Sequence, residues 1–239
     1  MQILKGNFMK KIFIILSVIV LMSIGTYMCK AHNMLDADIK ASDICIEEAR
    51  TFIKKVEFKK AEQKLNDALK LNNNNAEAYY ELGKIEARKN NNYKAVNYFT
   101  KAIQISPNED DYYVQRGASE LILLQFEAFI YDMNKAIKLN PKNTNAYIAL
   151  AGIHDRFGYR EKALEYYDNA IKYSEISLDS LYIYRAGLKV RLKNYDGAIT
   201  DFNKAIEIIK QGTENDKSRK MEYLKQNINE IQQAKKIFK

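Results

Sequence analysis

The chain has 239 residues, 47% of them apolar, with 38 Lys+Arg against 30 Asp+Glu and a net charge of +8. That apolar content supports a buried core and excludes wholesale disorder. With 2 Pro and 9 Gly there is too little turn chemistry for a strand-rich fold, so the composition predicts mostly helix. Two Cys and two His build neither a disulfide framework nor a Cys/His zinc site.

In chain order, the first element is an uncharged apolar run, Ile12 to Met28, behind Lys5, Lys10 and Lys11. A basic flank before such a run is the pattern of export. As a helix it would span about 26 Å, at the short end for a bilayer crossing. Residues 1–31 are either a signal peptide cleaved after Ala31, where Cys29 and Ala31 supply small side chains, or a retained transmembrane anchor. Tyr27 and Met28 argue against a lipid-modified Cys29, and Met9 is a second possible start.

From Ser42 onward the sequence resembles itself at a shift of 34 residues, the mark of stacked units. Five units follow: 42–75, 76–109, 110–143, 144–178 and 179–212. Position 27 of each is alanine: Ala68, Ala102, Ala136, Ala170 and Ala205. Position 20 is Ala61, Ala95, Phe129, Ala163 and Ala198; position 24 is Leu65, Phe99, Met133, Tyr167 and Phe202; position 8 is Ala49, Gly83, Gly117, Ala151 and Ala186. Spacings of four and three put positions 20, 24 and 27 on one helix face. Each unit is predicted to be two short helices whose small residues permit close approach and whose large residue fills the space left. Neither helix hides its stripe alone, so the units must stack.

Beyond Gly212, a helix stop, Thr213 and Asp216 form a capping box, and Met221, Leu224, Ile228, Ile231 and Phe238 recur at helical spacing. Residues 213–239 are predicted to be an amphipathic helix that caps the last unit; its rival reading is a basic helix on a membrane. The asparagine runs Asn72–Asn75 and Asn90–Asn92 fall in predicted turns.

This pattern resembles the tetratricopeptide repeat. Unit two carries it almost throughout, with Tyr79, Leu82, Gly83, Ala95, Phe99, Ala102 and Pro107. Cys45 replaces the aromatic in unit one, Phe129 replaces an alanine in unit three, and units one, four and five lack the proline. The resemblance, over residues 42–212, implies an all-α fold: an α-α superhelix, or solenoid, of about five helix-turn-helix repeats plus the C-terminal capping helix. It also implies that binding takes place on the concave face, at first-helix positions 2, 5, 9, 12 and 13. Position 5 is Ile46, Tyr80, Val114, Ile148 and Ile183; position 9 includes Arg50 and Lys84, followed by Ala118, Gly152 and Gly187; position 13 is Lys54, Arg88, Ile122, Arg156 and Arg191. An apolar floor with a basic edge suits an extended or helical peptide carrying acidic groups.

No phosphate loop, metal-spaced His pair or nucleophilic triad is present in the sequence. His154 and Cys45 fall at packing positions. The chain is expected to be neither an enzyme nor a cofactor, metal or small-molecule binder. The ends carry the charge: residues 1–31 hold four Lys and no acid, residues 210–239 eight basic and four acidic residues, and the body between sums to zero. A continuous basic stripe for nucleic acid is therefore not expected. The sequence suggests a non-catalytic scaffold binding a protein partner in its groove. It would be exported across, or anchored in, a bacterial cytoplasmic membrane, and so periplasmic, secreted or membrane-held. The alternative is an envelope protein that binds glycan or peptidoglycan, for which Tyr80 is the groove aromatic.

Overall fold

The structure is a computed structural model that describes residues 35–174, 178–211 and 217–237. The readings for residues 1–31, for the Thr213/Asp216 helix start and for Phe238 lie outside the described residues.

Every regular element among the described residues is an α-helix: α1 (residues 35–54), α2 (Phe58–Leu71), α3 (Ala76–Arg88), α4 (Asn92–Ile105), α5 (Asp110–Ile122), α6 (Phe126–Leu139), α7 (Thr144–Arg156), α8 (Arg160–Tyr173), α9 (Leu178–Arg191), α10 (Tyr195–Gln211) and α11 (Lys217–Ile237). They divide into two compact units, with the division between Lys89 and Asn90.

In the first unit, Ala49, Ala61, Leu65, Ala68 and Ile85 are fully buried where α1, α2 and α3 pack. Ser42 Oγ, two turns into α1, donates to the Ala68 carbonyl at 3.0 Å and ties α1 to the last turn of α2. Asn75 ends the asparagine run. Its Oδ1 accepts from Ala78 N at 3.2 Å, capping α3, while its Nδ2 donates to Ser42 Oγ at 3.0 Å.

In the second unit the hairpins α5–α6, α7–α8 and α9–α10 stack in sequence, with Ala102, Ala136, Ala170 and Ala205 fully buried. The approach of α5 to α6 leaves no room for a side chain at Gly117, where a Cβ would stand 2.5 Å from Met133 Cε. Each proline is used by the tyrosine six residues on: Tyr113 Oη donates to the Pro107 carbonyl at 3.0 Å and Tyr147 Oη to the Pro141 carbonyl at 3.2 Å. His154 is a packing residue, with Nδ1 2.8 Å from the Leu150 carbonyl and its ring 5.1 Å from Tyr166; Cys45, in the first unit, is a half-buried free thiol. At the C-terminal end, Leu224, Ile228 and Ile231 of α11 are buried with Phe202, Ile206 and Ile209 of α10.

Positions 7 and 23 hold a pair that changes chemistry from repeat to repeat. In the third, Arg116 donates through Nε and Nη2 to both oxygens of Asp132 at 2.8 Å, and through Nη1 to Thr100 Oγ1 at 3.1 Å. In the fifth, Arg185 grips Asp201 at 2.8 and 2.7 Å and reaches Asp168 at 2.6 Å. Each arginine thus ties its own second helix to that of the repeat before. In the first repeat the charges are reversed, Glu48 meeting Lys64 at 2.5 Å. The fourth repeat places Leu150 and Tyr166 at these positions.

Glu120 joins the Arg116–Asp132 pair at one side, 3.8 Å from Arg116 Nε, and its buried Oε2 has no hydrogen-bond partner among the described residues. Burial, reinforced by the Asp132 charge against the pull of Arg116, pushes its carboxyl up to about 7.

Position 15, in the turn between the two helices of a repeat, is left-handed every time: Val56, Asn90, Leu124 and Lys193 have φ of 62°, 62°, 60° and 59°, and Gly158 has 83°. Glycine and asparagine adopt this conformation readily, but valine and leucine are strained in it. Val56→Asn is accordingly expected to raise stability by about 1 kcal/mol in chemical denaturation. Asp132→Ala, which takes from Arg116 its bidentate partner and leaves Glu120 as its remaining carboxylate, is expected to cost about 1–3 kcal/mol, whereas Arg116→Leu with Asp132→Tyr, the fourth-repeat pair, should return to within about 1 kcal/mol of the parent. Because the folded Glu120 holds its proton more tightly than the unfolded chain does, its contribution is present at low pH and lost as pH rises through about 7. The melting temperature should fall between about pH 5 and about pH 8, and Glu120→Gln should flatten that fall.

Candidate functional site

The expected binding positions lie on the first helix of each repeat, and the two units present them differently. In the first unit Ile46 and Tyr80 are buried beneath the face. Tyr80 is 7% exposed, with Lys84 Nζ 4.9 Å from its ring centre, so the aromatic of the glycan reading offers no open platform for a sugar. The cations at position 9 are already engaged. Arg50 binds Glu47 and Glu77 and approaches Glu81 at 3.3 Å, and Lys84 meets Glu81 at 3.0 Å. Lys54 and Arg88, at position 13, are not buried: Lys54 is exposed and Arg88 is at the last turn of α3.

The second unit is more open. Val114 is buried, Ile148 and Ile183 are half-buried, and Arg156 and Arg191 reach the surface. Gly152 and Gly187 keep the floor low at position 9: nothing lies within 4 Å of a Cβ at Gly152, and at Gly187 the nearest atom is Arg191 Nη1 at 3.9 Å. Arg191 is held by Asp155, which also draws Arg160 to 3.9 Å, so part of the basic edge is neutralised from within. Ile122 does not line the floor; it stands 64% exposed at the end of α5, beside the turn.

This face runs into a cleft of about 460 Å³ between α9, α10 and α11. Ile183, Gly187 and Val190 line it from α9, Phe202 from α10, and Tyr223 and Ile231 from α11, with Arg191 and Glu230 as its charged lining residues. Ile183 and Arg191 were legible in the sequence, but the contribution of α11 was not, because its apolar stripe reads as a cap. The signal was a second stripe on that helix: Tyr223, Asn227 and Glu230, spaced by four and three. Among the described residues no group of three His, Cys, Asp or Glu comes together to hold a metal ion, and no helix is long and apolar enough to cross a membrane.

Comparison with known proteins agrees with this geometry. Family models of the tetratricopeptide repeat match residues 76–109, 144–176 and 181–211. The chain is 33% identical over 122 residues to TPR repeat-containing protein MJ1428 of Methanocaldococcus jannaschii, a match covering 51% of this chain and 21% of that protein. It spans about a fifth or less of the length of the curated relatives it matches. Among solved structures, the crystal structure of MamA protein superposes with a TM-score of 0.61 at 23% identity, covering 70% of this chain and 91% of that one. That of YrrB, described as a TPR protein with an unusual peptide-binding site, superposes with a TM-score of 0.55 at 21% identity, covering 69% and 84%. The periodic small residues and the helix hairpins they close agree with the tetratricopeptide repeat matches at residues 76–109, 144–176 and 181–211, and the fold is that of an all-α solenoid.

Proposed function

We propose that the chain is a non-catalytic scaffold that holds a protein partner by a peptide segment laid along the first-helix face of the second unit. The observation that carries this reading is the cleft between α9 and α11. It is apolar at its base, open to solvent and continuous with Ile183 and Gly187 of the binding face. An apolar side chain of the peptide enters the cleft, and an acidic group beside it meets Arg156, which lies one repeat before the paired Arg191. The unusual peptide-binding site attributed to YrrB supports peptide binding as something this fold performs. The apolar run behind Lys10 and Lys11 supports export or membrane anchoring in the bacterial envelope as its setting.

Gly187→Leu tests the site. The substitution removes a helix-interior glycine and so should add about 1 kcal/mol to helix stability, while filling the cleft. With the full chain as bait and mass spectrometry as readout, the partner recovered by the parent should be lost from Gly187→Leu and reduced by Arg156→Glu. Undiminished recovery in Gly187→Leu would refute the cleft as the binding site. Cell fractionation distinguishes a cleaved species starting near His32 from a full-length membrane-held one.

A further inference from the structure

The neutral body of the chain is not neutral along its length. In every repeat but the third the turn between first and second helices is net basic; the third, 122–127, holds Glu127 and no Lys or Arg. Across segments 54–60, 88–94, 122–127, 156–162 and 191–196 the sequence holds twelve basic and four acidic residues. The turns between successive repeats run the other way: segments 71–77, 105–111, 139–145 and 173–179 hold six acidic residues and one basic. Helices of 13 or 14 residues separate the two sets of turns in most repeats, about 20 Å at 1.5 Å per residue. A sum of zero therefore conceals two sets of turns that, each taken together, carry opposite charge.

The turns within repeats also expose bulky apolar side chains. In the second unit Ile122, Leu124 and Tyr159 are each 64% exposed and Phe157 47%, and an edge-to-face contact of Phe126 with Phe157, centroids 5.1 Å apart, joins the turns of the third and fourth repeats into one patch. Arg160, Lys162 and Lys193 belong to the same set of turns. Leu124 holds a left-handed position that other repeats fill with Asn90 or Gly158, and it gains little burial in return. The first unit, taken by itself, shows the same combination at Val56, left-handed and 67% exposed beside Lys54, Lys55 and Lys59. Strain and exposure retained together mark a contact surface.

We infer that the turns of the second unit form an edge that rests on an anionic lipid bilayer, with Leu124, Phe157 and Tyr159 dipping into the headgroup region. The shape and the chemistry both favour lipid over peptide. The residues protrude from turns rather than line a groove, and apolar or aromatic tips interleaved with Lys and Arg match an interface that is negative outside and apolar within. Leu124, Phe157 and Tyr159 line no part of the cleft, which takes only Arg191 and Tyr195 from these turns, and the edge does not depend on what residues 1–31 do.

The test exploits a chain that contains no tryptophan. Tyr159→Trp places a single fluorophore on the edge, and Asn108→Trp places one on an acidic turn. Each full-length variant is mixed with vesicles of phosphatidylglycerol and phosphatidylcholine that carry brominated acyl chains, so that the readout is local and is not satisfied by binding through residues 12–28. Tyr159→Trp should shift to the blue and be quenched, with Asn108→Trp unchanged. Adding Lys162→Gln and Lys193→Gln should weaken the contact at Tyr159→Trp by about 30-fold, each near-surface cation being worth about 1 kcal/mol. Circular dichroism checks that helicity is retained. Equal quenching at the two sites, or none at Tyr159→Trp, overturns the inference. So does a shift produced by an acidic polyglutamate peptide and not by lipid, which would assign the edge to an acidic protein. Gly187→Leu in the Tyr159→Trp background should leave the quenching unchanged, so this edge and the peptide cleft stand or fall separately.

Discussion

Close helix approach at small side chains is the constraint on which the rest of the structure depends. A helix of 13 or 14 residues with one apolar stripe is marginal alone, and it becomes stable only when a neighbour covers that stripe. Fully buried alanines such as Ala102, Ala136, Ala170 and Ala205 let the helices come near enough for Phe99, Met133, Tyr167 and Phe202 to fill the space between them. The same demand explains Gly117, where even one carbon would meet Met133. It also sets where variation is tolerated, since any residue outside these contacts is released for other tasks.

Positions 7 and 23 show that tolerance. A leucine with a tyrosine, an arginine with an aspartate, and a glutamate with a lysine occupy the same geometric place in different repeats. What the fold requires is a filled and mutually satisfied pair, not one chemistry. Where the pair is Arg116 and Asp132 or Arg185 and Asp201, a third contact to the preceding repeat, at Thr100 or Asp168, adds direction to the stacking. Glu120 records the electrostatic cost of this arrangement, because a carboxyl buried beside Asp132 holds its proton at a pH where an exposed one would not.

Charge within the molecule also shapes the first-helix face. Cations that look like a basic edge when read one by one are paired in the fold: Arg50 with Glu47 and Glu77, Lys84 with Glu81, Arg191 with Asp155. Surface pairs of this kind are individually weak, so an acidic ligand would compete with them rather than fill an empty site. The apolar cleft against α11 is the more decisive feature, since desolvation there is not offset by an internal partner.

The helix pairs, their order and their buried small residues were legible in the sequence because a 34-residue period repeats the same steric demand five times, and a demand repeated at fixed spacing leaves a readable trace. The packing role of His154 was legible for the same reason. The wall that α11 adds to the cleft, the neutralisation of Arg50 and Arg191, and the burial of Tyr80 were not. Each depends on residues from different helices brought together by stacking, such as Glu77 beside Arg50, 27 positions along the chain, or Asp155 beside Arg191, 36 positions away. The sequence by itself determined which faces must be buried, because helical periodicity is a local property. Only the tertiary structure decided which charges are spent on one another and which surface remains open, because both follow from distances between helices.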